Sequence, residues 1–186
     1  MFQYGTKSQI IQGFTGLHAK RPLNRTTRYF FGIGTSIEEL IPDMYTFWPD
    51  GGRLHVDSWR EVTHVGEYAI TITSKQDSNI AEKLFFINLG GYKPGDFEEY
   101  HYKTLMVAQT MAEAVKAAKQ TTFYKHCGFK GAESHIDDKY ALDIDDMHNV
   151  EDILLPHYKE KYSFSITKTA HPVEDELHIG YLKLGI

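Results

Sequence analysis

Tyr68-Ala69-Ile70-Thr71-Ile72-Thr73 and Tyr162-Ser163-Phe164-Ser165-Ile166-Thr167 are nearly the same hexapeptide, 94 residues apart. Both alternate in polarity with period two, the pattern of a half-buried β-strand. Working outward, the likeness extends through both halves of the chain. Ile37-Glu38-Glu39-Leu40 matches Met111-Ala112-Glu113-Ala114 at an offset of 74. The same offset sets Gly16 on Gly90, and Phe31-Gly32-Ile33 on Leu105-Met106-Val107. Between the helix match and the final strand, Leu54-His55-Val56-Asp57-Ser58 resembles Ser134-His135-Ile136-Asp137-Asp138, an offset of 80. The growing offsets imply six extra residues within Tyr124–Glu133 and fourteen more around Leu142–Lys161.

A repeated unit follows from pattern alone. Lys83–Leu89 is a short apolar run stopped by Gly90-Gly91, the signature of a buried strand. Pro94 and Gly95 make the following turn, and His101–Gln109 reads as a second strand. Thr110 is placed to cap a helix, with Glu113 three positions on completing a capping box. Ser36 and Glu39 stand in the same relation in the first half, where Pro42 makes the helix short or irregular. Each unit is strand–strand–helix–strand. The expected fold is therefore α+β: a tandem duplication with mostly antiparallel sheet and helices packed on it. Residues 1–76 form the first unit, with a divergent segment 1–28, and residues 77–186 form the second. A last alternating stretch, Leu177–Leu184, adds a final strand. The two units are expected to pack as one compact protein.

The chain has 186 residues, 41% of them hydrophobic, with 12 Tyr and 11 Phe. A domain of that size buries about 70% of the surface its unfolded chain exposes, enough for an ordinary core. A formal charge of −5 disfavours a nucleic-acid partner, which would need a concentrated basic surface. Lys20, Arg21, Arg25 and Arg28 form a local basic stretch that reads as a solvated loop. The single Cys127 allows no internal disulfide and fits a reducing, cytoplasmic location. There is no apolar run of the ~20 residues that a membrane span requires, and no export signal is expected.

Polar pairs two residues apart carry the candidate chemistry. Such pairs share one face of a strand. His55, Asp57 and Trp59 would then face one way and Leu54 and Val56 the other. An adjacent carboxylate can orient an imidazole, raise its basicity, or join it as a metal ligand. His135, Asp137 and Asp138 repeat the pair in the second half. Glu99 and His101 add another carboxylate–imidazole pair suited to acid–base work or metal ligation. The competing reading of each pair is structural: His and Asp in turns commonly cap backbone groups. Asp143, Asp145 and Asp146 add carboxylates, but the glycine and distal glutamate of an EF-hand are lacking. There is no P-loop, dinucleotide fingerprint, nucleophile elbow or His-Glu-x-x-His segment.

Three segments together, Leu84–His101, Leu54–Trp59 and Ser134–Tyr140, resemble the bacterial domain-of-unknown-function family 1543, over roughly residues 29–184. The resemblance implies the duplicated architecture and no activity. Where the family opens its first unit with an acidic–x–His element, this chain has Arg25 and Thr27, so any such chemistry would belong to the second half.

The reading that results is an uncharacterised cytoplasmic ligand-binding or protein-interaction module. Its candidate cluster is Glu99, His101, His135, Asp137 and Asp138, echoed by His55, Asp57 and Trp59. The rival is a metal-assisted or acid–base hydrolase using the same groups. Cofactor, metal, small-molecule or protein partner and oligomeric state, a homo-oligomer included, are left open.

Overall fold

A computed structural model describes residues 8–17, 27–75, 81–92, 97, 99–120 and 144–184. The backbone forms two compact units, one of residues 1–78 with 153–186 and the other of residues 79–152. The architecture is α+β, mostly antiparallel sheet with short helices.

In the first unit a four-stranded sheet has the order β10-β3-β1-β2. Its strands are β1 (Gln9–Leu17), β2 (Thr27–Gly34), β3 (Leu54–Val62) and β10 (His178–Lys183). The helix predicted after β2 begins as a 3-10 turn, Glu38–Leu40, and becomes α-helical as α1 (Ile41–Phe47). Pro42 explains the break, because it has no N–H to donate back into the preceding turn. Ile10, Ile11, Phe30, Leu40, Met44, Val56 and Val62 are buried in this unit. A second sheet, β4-β5-β9, joins β4 (His64–Val65) and β5 (Tyr68–Ser74) to β9 (Tyr162–Lys168).

The second unit holds a sheet of order β7-β6-β8, from β6 (Lys83–Tyr92), β7 (Glu99–Ala108) and β8 (Ile144–Asn149). The apolar run of β6 is buried throughout from Leu84 to Leu89, apart from a small exposure at Asn88. Helix α2 (Met111–Ala118) lays Ala114 and Ala118 on Phe85, Ile87 and Leu89. These positions are i and i+4, one face of the helix. Two further short helices, α3 (Val150–Ile153) and α4 (Pro156–Lys161), connect β8 to β9.

Strand registers repeat between the units. Ile11 pairs with Gly32 in β1–β2, and Phe85 with Met106 in β6–β7, so both partners shift by 74. Phe14 pairs with Ser58 and Thr15 with Val56, with a bulge between them at Asp57. Correspondingly, Asn88 pairs with Asp146 and Leu89 with Ile144, with a bulge at Asp145. Here β1 shifts by 74 and β3 by 88. Between β5 and β9, Thr71 lies opposite Ser165, its counterpart at offset 94. Ile70 opposite Ile166 and Ile72 opposite Phe164 then exchange with one another under the same offset.

Helix starts agree too. The Thr35 amide donates to Glu39 Oε2 at 2.8 Å and the Gln109 amide to Glu113 Oε2 at 3.1 Å. The Glu39 and Glu113 amides donate to Ser36 Oγ and Thr110 Oγ1 at 3.4 and 3.3 Å. The second is a capping box, as the spacing predicted, because the Thr110 amide also donates to Glu113 Oε2 at 3.2 Å; in the first, Glu39 takes the Thr35 amide and hydroxyl, and the 3-10 turn starts from Ile37 without a side-chain cap.

One alignment from the sequence is corrected. The β8 residues that hold the register of Val56–Glu61 are Ile144–Asn149, not Ile136 onward. The offset therefore rises by 14 before β8 and by 6 after it, the reverse of the order expected. Asp145 takes the place of Asp57. The similarity of Ser134–Asp138 to Leu54–Ser58 is one of residue types. Such a short motif carries too little information to outweigh a register set by hydrogen bonds along whole strands.

Candidate functional site

The candidate residues divide sharply. His55, Asp57 and Trp59 all lie on β3, but they do not share one face as expected: the bulge at Asp57 breaks the alternation, so Trp59, opposite Gly13, faces away from His55, which lies opposite Gly16. His135, Asp137 and Asp138 fall outside the described residues, as do Lys20, Arg21, Arg25 and Cys127. Glu99 opens β7 opposite Tyr92, and His101 lies opposite Gly90 with its side chain exposed. Among the described residues no group of three or more His, Cys, Asp or Glu is arranged to hold a metal ion.

On β3 the pair forms as its spacing predicted. His55 Nε2 lies 3.3 Å from Asp57 Oδ1. The bulge relative to β1 occurs at Asp57, and bulges commonly re-aim a side chain next to a site. Gly16, opposite His55, makes the room. A Cβ there would come within 2.5 Å of His55 Nε2 and 3.2 Å of Asp57 Oδ2. The glycine match noticed in the sequence thus has a steric reason in this half.

Strand β10 adds one ring to each face of the sheet, His178 on the Trp59 face and Tyr181 on the His55 face. His178 pairs directly with Trp59, and Lys183 with His55. The two rings of the first pair stack at 4.0 Å with 13° between planes. One extra residue in β10 breaks the register between Ile179 and Leu182. Gly180 lies there at φ 152°, a conformation open mainly to glycine. Beside it Tyr181 stacks on the His55 ring, centroids 4.4 Å apart at 29°. Trp59 and residues 177–182 of β10 and its approach line a shallow depression of about 440 Å³. Leu177, Ile179 and Tyr181 are exposed along it by 61, 82 and 48%. That concentration of exposed apolar surface is the feature of a contact site.

The chemistry of the pair follows from burial. The His55 side chain is only 12% exposed, against 37% for Asp57. Its Nδ1 is buried, its Nε2 faces Asp57, and a ring face is against Tyr181. A general base needs a nitrogen within reach of the proton it removes. His55 keeps Nδ1 buried and turns Nε2 toward Asp57, the more exposed member of the pair.

Two other polar clusters are structural. Asp175 accepts from the Thr63 amide at 3.0 Å, the His64 amide at 3.1 Å and the Thr63 hydroxyl, which ties the approach to β10 onto the end of β3. The Tyr158 hydroxyl donates to the Asp43 carboxylate, which also lies 3.4 Å from His157 Nε2. Burial and the neighbouring carboxylate hold the Tyr158 hydroxyl well above the usual phenol range. Trp48 is buried under Arg28, whose guanidinium lies 4.6 Å over its ring, in keeping with a packing role.

Sequence reasoning missed His178 and Tyr181. Both sit in the predicted final strand, but nothing local says that this strand lies beside β3, more than a hundred residues earlier. The Gly180 interruption of an alternating run was the available signal of a bulge.

The comparisons bear on fold and family. The chain resembles a crystal structure described as that of a protein Il1583 from Idiomarina loihiensis, at 23% identity and a TM-score of 0.61, over 96% of this chain and 98% of that one. That likeness speaks for the fold alone. No curated protein matches. No helix among the described residues is long and apolar enough to cross a membrane. The resemblance read from the sequence is shown for residues 28–72, which match the Domain of Unknown Function (DUF1543) family and contain His55, Asp57 and Trp59.

Proposed function

We propose that the protein is a ligand-binding module whose site lies on the β3–β10 surface of the first unit, around Asp57. One observation carries this reading: His55 packs between Asp57 and Tyr181, so the pair presents a fixed carboxylate beside a stacked pair of rings. Screening a fragment library by ligand-observed NMR tests it. Hits should be lost from the Tyr181→Ala variant, and hits retained there in equal number would defeat the assignment. Part of the same proposal is a cytoplasmic location, supported by the single cysteine and checked by cell fractionation.

We also infer that the chain is a tandem duplication, with the sequence repeats meeting near residue 76. Support comes from the shared registers, the bulges at Asp57 and Asp145, and the matching hydrogen bonds of Glu39 with Thr35 and Ser36 and of Glu113 with Gln109 and Thr110. The pairing of β5 with β9 explains why residues 153–186 join the first unit: equivalent strands of the two repeats lie side by side. In an experimental structure, residues 9–17 and 27–34 should superpose on 83–91 and 101–108 together with 56–61 on 144–149. A β8 displaced by one register position would refute the duplicated unit.

A further inference from the structure

Among the described residues no strand pairs with β10 on the side away from β3, so β10 is an edge of its sheet. An edge strand turns alternate N–H and C=O groups outward, a template for one more strand. Protein edges are usually guarded by charge or proline. Here Leu177, Ile179 and Tyr181 instead stand exposed at alternate positions, Ile179 by 82%. They are three of the seven exposed large hydrophobic side chains among the described residues, gathered on one strand and its approach. We propose that this edge pairs antiparallel with β10 of a second copy of the chain, about a two-fold axis at Ile179, joining two four-stranded sheets into one.

The stretch around β10 is its own complement. Directly opposed residues of an antiparallel pair share a face and touch. With the axis at Ile179, that residue meets its own copy and Leu177 meets the partner's Tyr181, apolar against apolar. The next pair on the same face is Asp175 with the partner's Lys183, acid against base, and the symmetry makes each of these pairs twice. On the other face His178 lies opposite the partner's Gly180, where a ring covers a position that has no side chain. Moving the axis one residue either way sets Lys183 against Leu177 or Val173 and loses the ion pair. Glu174 and Glu176 add to the negative charge at the acidic end, so a parallel arrangement would bring acid to acid and lysine to lysine. A closed, isologous dimer is the outcome of such self-complementarity. It uses the outer edge of β10, whereas Asp57 lies on the inner side, so it is independent of the ligand site.

The test is the mass of the full chain by size exclusion with light scattering, over a roughly hundredfold range of concentration. A dimer that dissociates on dilution is expected. Ile179→Lys sets like charges against each other across the axis and should weaken the dimer by roughly tenfold or more. Lys183→Glu should weaken it as well, by setting acid against Asp175. Phe97→Lys, the same kind of change at an exposed side chain outside β10, should leave the mass unchanged. Should Ile179→Lys lose its native circular dichroism, Leu177→Lys serves instead, with the same loss expected. A monomer at every concentration would overturn the proposal and leave the edge to a strand of a different protein. A dimer untouched by Ile179→Lys, or disrupted equally by Phe97→Lys, would overturn it too, since the interface would then lie elsewhere. Indifference to Lys183→Glu alone would overturn the axis at Ile179.

Discussion

Strands β3 and β8 occupy the same register in their sheets and bulge at the same point, yet they present different chemistry. In β3 the bulged Asp57 lies between His55 and Trp59, and β10 covers the strand's outer edge with His178 and Tyr181. In β8 the bulged residue is again an aspartate, Asp145, but Asp146 and Met147 stand where β3 has Ser58 and Trp59. Bulge and register therefore belong to the scaffold that both units use. The aromatic stacks belong to the first unit, because they need a fourth strand as well as a particular β3 sequence.

The sharpest way to break this contrast is at Gly16. Gly16→Val would place atoms onto His55 and Asp57, so the variant should lose about 3 kcal/mol in urea denaturation and lose ligand binding together. Removing the His55 ring as well should recover part of the stability. Recovery of none would mean that the glycine serves the strand backbone instead.

The connectors between the matched strands differ as well: a short hairpin strand, β4, in one half and α3–α4 in the other. Tyr158 fastens α4 to Asp43 of α1. Tyr158→Phe should cost about 2 kcal/mol, as for a hydrogen bond to a charged group. Since the folded state raises the Tyr158 pKa, its contribution is fully present below the unfolded value near 10 and is lost as pH rises through the higher folded value. The wild type should therefore lose stability in alkali faster than the variant, and parallel curves from pH 8 to 12 would contradict this.

Cap deletions sharpen the comparison from the other side. Thr110→Ala and Ser36→Ala should each cost about 1 kcal/mol, measured by thermal unfolding. A cap that matters in one half only would show that the shared hydrogen bonds are not equally used. Smallest of all is the acid limb. Hydrogen bonds from the Thr35 amide and hydroxyl hold the Glu39 carboxyl below its ordinary range. That contribution is present above the unfolded pKa and disappears as pH falls through the folded one. Glu39→Gln should lower stability slightly at pH 7 and flatten the acid limb, so that the two curves converge below pH 5.

Much of the scaffold was legible in the residues. Local rules act at short range, so the buried strand from Lys83, the Thr110 capping box and the Pro42 break could be read from neighbours a few positions away. The His55–Asp57 contact was legible for the same reason, being two residues apart on one strand. The second copy of the signature lies outside the described residues, and the strand that shares the register of β3 is β8, because register depends on whole strands. Equally, no local pattern distinguished an imidazole open to solvent from one enclosed.

By itself the sequence determined the strands around Tyr29, Leu54, Tyr68, Lys83, His101, Tyr162 and His178, helix α2 with its cap, and the break at Pro42, because periodicity and backbone restriction are local; β1, β8, α3 and α4 went unread. Only the tertiary structure decided that β10 lies against β3. That pairing enclosed His55, left Asp57 exposed and supplied His178 and Tyr181. It joins residues far apart in the chain, and such a contact is selected by the packing of the whole sheet, which no single segment encodes.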